Sequence, residues 1–125
     1  MGKVIALLAP GIGAALFCAI AVSARDSSAR EIRIVARGMT FYMDGGTEPN
    51  PILRVRRGEH VRIVFRNEDA GMKHDFTVPD WGVETKALSG RGETSISFQV
   101  PASARTGRYA CTPHATSMTG TLALE

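Results

Sequence analysis

Only two cysteines occur in the 125 residues, and one of them, Cys18, lies in an apolar leader. The rest of the chain keeps a single thiol, Cys111, so no internal disulfide can staple it. Histidine is as scarce, with only His60, His74 and His114. There is no internal repeat, no low-complexity tract and, after the leader, no amphipathic helical pattern, which excludes bundles and solenoids. Basic residues are scattered, and the densest group, Arg54, Arg56 and Arg57, alternates with Leu53 and Val55 as a solvated strand face would. A nucleic-acid partner is therefore not expected. A chain of this length holds one core.

What is present begins with an export signature. Lys3 supplies the positive end, Val4 to Val22 is apolar, and Val22-Ser23-Ala24 offers small residues for cleavage after Ala24. The competing reading is an uncleaved anchor, since residues 4–24 just span a bilayer, although Pro10, Gly11 and Gly13 weaken that helix. Phe17 is too bulky for a lipoprotein signal at Cys18, and no Arg pair precedes the apolar run. Loss of Lys3 with the leader takes fifteen basic residues to fourteen against twelve acidic ones, a net of +2. The expected organisation is a signal segment over 1–24, a short linker over 25–30 and one domain over 31–125.

Period-two patterning dominates that domain. Ile32, Ile34 and Ala36 share one side of a first strand, Met39 to Met43 continues it or forms an edge, and Asp44 to Pro51 is loop chemistry. Strands are expected at Ile52 to Arg56, at His60 to Arg66, from His74 to Val78, and at Thr94 to Val100. Arg108 to Cys111 and Gly120 to Leu124 complete the set, while Trp81 to Gly92 reads as irregular with room for a helical turn. Seven or so short strands predict an all-β, antiparallel Greek-key sandwich.

The chemistry concentrates in Tyr109-Ala110-Cys111-Thr112-Pro113-His114-Ala115-Thr116-Ser117-Met118. A thiolate, an imidazole and a thioether within eight residues are donors suited to an electron-transfer copper ion, lacking only a second imidazole. His74 can supply it if its strand meets the same pole. His60, at a strand start, reads as a surface residue. Met39 and Met43 read as gap-fillers.

Asn67 to Val78 and Tyr109 to Leu124 together resemble the two metal-binding segments of the cupredoxins, the small blue copper proteins. The resemblance implies one type 1 copper ion with His74, Cys111 and His114 as equatorial ligands and Met118 as the axial one. The spacing Cys-x2-His-x3-Met is intermediate between loops of the family one residue shorter and one longer. Asp75 stands where many cupredoxins carry Asn, and it is expected to accept a hydrogen bond from Thr112 or a backbone amide across the two ligand loops. Met72, Pro113 and Ala115, with Lys73 at the rim, are expected to form a docking patch around His114.

The implied function is an exported, non-enzymatic electron carrier, periplasmic or otherwise extracytoplasmic, loaded with metal outside the cytosol. Expected partners are redox proteins such as a cytochrome or a dehydrogenase, with no membrane contact after cleavage and a monomeric state. Copper delivery or storage is the alternative use of the same ligands. Three histidines are too few for a multicopper oxidase, and one loop cysteine is too few for a Cys-bridged binuclear centre. Zinc would leave Met118 without a role.

Overall fold

The computed structural model describes residues 28–125, together with Gly2. The expected signal segment lies outside the described residues. Among them, no helix is long and apolar enough to cross a membrane.

Nine strands are described: β1 (Arg30–Arg37), β2 (Thr40–Met43), β3 (Leu53–Val55), β4 (His60–Asn67), β5 (Thr77–Val78), β6 (Val83–Glu84), β7 (Gly92–Gln99), β8 (Gly107–Ala110) and β9 (Thr119–Leu124). They form two sheets, ordered β2-β1-β4-β7 and β3-β9-β8-β5-β6. Inward residues of β1 and β4, Ile32, Ile34, Ala36, Val61, Ile63 and Phe65, are buried as the alternation requires. Val35 and Val64 face the other way and are buried too. Their cross-strand neighbours are Arg66 in β4 and Arg33 in β1, residues with long aliphatic stems.

The expected Greek-key β-sandwich is present, and two of its strand pairs depart from the antiparallel pattern. β1 pairs with β4, and β3 with β9, in parallel. The reason is topological: the chain leaves the first sheet after β2, contributes β3 to the second, and returns as β4 beside β1 in the same direction. The other strand pairs are antiparallel, as Greek-key links require. The irregular stretch after Val78 holds a short 3-10 turn, Pro79–Trp81, and the two-residue β6.

Between the sheets, Phe41 meets Phe65, Phe76 and Tyr109 edge-on, and Phe76 stacks on Tyr109 at 5.4 Å between centroids. The Tyr109 hydroxyl donates to the Pro51 carbonyl at 2.6 Å, which satisfies a polar atom inside the core. Burial pushes the Tyr109 phenol well above its ordinary range. Its ring lies so close to β9 that a Cβ at Gly120 would come within 2.1 Å of it. Only glycine fits there.

Candidate metal centre

Two chain segments build one pole of the sandwich. The first follows β4, whose last residue, Asn67, is 1% exposed. Its side-chain amide donates to the carbonyls of Met72 (2.8 Å) and Leu88 (3.2 Å), and its oxygen accepts from the Asp69 amide (2.9 Å). The loop is thereby wound around one buried amide. It delivers His74 into an isolated bridge with Leu88, held by backbone bonds of 3.0 and 2.8 Å. His74 thus precedes β5 instead of starting it, and residues 74–78 are all buried because both faces are covered.

The second segment leaves β8 at Cys111. A 3-10 turn, Thr112–His114, carries Pro113 at its second position, where the fixed φ suits a helical first turn. The Cys111 amide donates to the Met118 carbonyl (3.0 Å), and the Met118 amide to the His114 carbonyl (2.9 Å). Those bonds close the loop before β9. The Met118 side chain is fully buried.

At the junction, Cys111 Sγ lies 3.6 Å from His74 Nδ1 and 3.5 Å from His114 Nδ1. The three donor atoms fall within 4.8 Å of one another. The imidazole rings are 5.1 Å apart at 64°. His74 and Cys111 are completely buried, while His114 is half-buried. Burial pushes the Cys111 thiol up. The nearby backbone amides of Asp75 and His114 pull it down, and the Asp75 carboxylate adds to the rise.

Asp75, itself 2% exposed, bridges the segments by accepting from the Thr112 amide at 2.6 Å. Met72, Lys73, Pro113 and Ala115 are exposed on the two loops, Met72 at 37%. His60 is exposed at the start of β4, far along that strand from this pole.

Sequence reasoning passed over Asp69 and Asn67. Asp69 Oδ2 lies 2.8 Å from His74 Nε2, and the same carboxylate accepts the amides of Gly38 (2.8 Å) and Met39 (3.2 Å). Burial alone would push this carboxyl up, but the hydrogen bonds from Gly38, His74 and Met39 hold it below the usual carboxylate range. The one available signal was an acid five residues before a candidate ligand. Loops are rich in Asp for other reasons.

The donor set answers whether a metal fits. Two imidazole nitrogens and one sulfur, all Lewis bases once the thiol is deprotonated, converge at a single buried point. Thiolate with imidazole is a soft to borderline set suited to copper or zinc.

Solved structures with the same architecture include auracyanin A, a "blue" copper protein from the green thermophilic photosynthetic bacterium Chloroflexus aurantiacus. It matches at a TM-score of 0.63 and 21% identity over 78% of this chain and 100% of its own. A dithionite-reduced auracyanin from Roseiflexus castenholzii matches at 0.62 and 17% identity, over 78% of this chain and 98% of that one. A reduced amicyanin variant matches at 0.51 and 22% identity, over 76% and 82%. The chain has the cupredoxin fold. No protein-family model matches the sequence, and no curated protein matches it. At these identities the cupredoxin likeness fixes the architecture, and the chemistry rests on the residues at the pole.

Proposed function

We propose that this chain is an exported type 1 copper protein that carries single electrons between redox partners. One observation carries the reading: the Nδ1 atoms of His74 and His114 both face the buried Cys111 sulfur, within 3.6 Å. His74, Cys111 and His114 would hold the metal, and Met118, from its buried place on the same loop, would supply a further, weaker sulfur donor. When bound, copper supplies a one-electron couple between Cu(II) and Cu(I), since thiolate, imidazole and thioether suit both states.

Each residue then has a definite task. Buried His74, Cys111 and Met118 keep water out and leave no open position for a substrate, which favours a carrier over an enzyme. Asp75 ties Thr112 to the His74 segment, so the donors keep their spacing through a redox cycle. His114, half-buried, is the most exposed of the donor residues and is the electron's exit. Met72, Pro113 and Ala115 offer a small apolar landing surface beside it, with Lys73 at the rim, as weak and quickly released complexes need. A cytochrome or a dehydrogenase in an extracytoplasmic compartment fits this chemistry.

The test is to add Cu(II) to the purified mature domain and record its visible spectrum, with Cys111→Ser as control. An intense sulfur-to-copper absorption, absent from the variant, is expected, and a colourless protein would overturn the reading. Copper passing rapidly from the loaded protein to a chelator would favour delivery over electron transport.

A further inference from the structure

The His74 imidazole is gripped from behind. Its Nε2 lies 2.8 Å from Asp69 Oδ2, while its Nδ1 faces Cys111. A carboxylate can only accept, so the ring must carry its proton on Nε2. In the neutral ring the lone pair is then on Nδ1, the atom that faces the other donors. His74 has no exposed surface, so no water can replace this partner.

Asp69 is itself immobilised from a distant part of the chain. The turn between β1 and β2 places Gly38 and Met39 successively in the left-handed region, at φ 58° and 61°. Two such residues make the tight hairpin turn that matches strand twist, and their amides point to one side. Both donate to Asp69, one to each oxygen. Met39 holds a conformation costly for a side-chain-bearing residue, and this clamp compensates for it. Asn67 fixes the Asp69 backbone through its own amide. The hairpin turn, the carboxylate and the imidazole form one rigid line into the site.

We propose that Asp69 is the positioning residue of His74: it sets the ring's tautomer and, as a fixed negative charge one imidazole away from the donor atoms, biases the site toward the oxidised metal. The proposal rests on the copper reading for its redox part only. The tautomer belongs to the metal-free protein as well. A carboxylate behind a ligating imidazole makes the nitrogen a stronger donor, and loss of such partners costs about 10- to 100-fold in affinity or activity. Since the charge favours Cu(II) over Cu(I), its removal should shift the redox equilibrium toward Cu(I).

The experiment uses the mature domain, wild type and Asp69→Asn, with 15N NMR of the metal-free His74 ring and redox titration of the copper-loaded protein. The wild-type ring is expected to be protonated on Nε2, and Asp69→Asn, whose amide can turn either its oxygen or its NH2 toward the ring, is expected to mix the tautomers. Its redox equilibrium should move about tenfold toward Cu(I), which is a rise of 59 mV for one electron. A metal-free wild type protonated on Nδ1 overturns the proposal and needs no variant to fold. So does an Asp69→Asn protein that melts earlier with an unchanged tautomer and potential, because Asp69 would then only brace the hairpin. If the wild type takes up no copper, the functional reading fails while the NMR measurement still decides the role of Asp69.

Discussion

The two ends of β4 use similar polar groups to opposite effect. At its C-terminal end stand Asn67 and Asp75, both buried, and Asp69, partly buried, each bonded to atoms that hold His74 or the Cys111 loop. About eight residues away, roughly 25 Å along an extended strand, Glu59 pairs with Arg30 and accepts from the Arg56 amide. Here Arg30 remains about half exposed. A hydrogen bond to a buried carboxylate has no water to replace it, whereas an exposed ion pair competes with solvent. The first end keeps donor atoms in place, and the second holds an ion pair open to solvent.

The sharpest way to break this contrast is to disturb the packing behind the metal pole. Gly120→Ala would force its methyl into the Tyr109 ring. Tyr109 cannot retreat, because Phe41 and Phe76 pack against it and its hydroxyl is bonded to Pro51. A loss of about 3 kcal/mol is expected, the upper end for an overpacked core. Urea unfolding measures it, and a loss below about 1 kcal/mol would mean that the ring has somewhere to go.

Asp75 comes next. Asp75→Ala leaves the Thr112 amide without its charged acceptor, a cost of about 2 kcal/mol, or roughly a 10 °C fall in Tm for a domain of this size. Asp75→Asn keeps an oxygen that can accept from Thr112 and should cost less than half as much. Equal losses for the two variants would show that the negative charge, and not the bond between the loops, is what stabilises this end. The copper spectrum of each variant, beside its melting curve, separates a loosened site from a loosened fold.

How far these features could be read from the sequence follows from their range. Cys111, His114 and Met118 are legible because the donors sit within eight residues, and a short loop between strands must gather them. β1, β4 and β7 are legible because their inward alternation is clean. The parallel pairings of β1 with β4 and of β3 with β9 are not, because patterning says which face is buried and is silent on which neighbour a strand chooses. His74 reads as a strand start from its spacing with Phe76 and Val78. In the fold, Leu88, which the sequence offers only as part of an irregular stretch, fixes it by a single bridge. The role of Asp69 depends on Gly38 and Met39, about thirty residues earlier, where a non-glycine residue takes positive φ. No local pattern announces that contact.

The smallest expected effect lies at the far end and sharpens the contrast from the other side. The bond from Arg30, opposed in part by burial and aided by the Arg56 amide, holds the Glu59 carboxyl below its ordinary range. A carboxyl lowered in the folded state contributes stability above its unfolded value, about 4.3, and loses it as the pH falls through the folded value. Glu59→Gln should therefore cost well under about 1 kcal/mol at pH 7, and the gap from wild type should close in acid below that range. Raising the salt concentration should narrow the gap at neutral pH, because exposed charges are screened. Asp75→Ala, with its acceptor buried, should keep its full cost in the same salt. If both losses responded alike to salt, the difference in burial between the two ends of β4 would not be what sets the worth of their carboxylates.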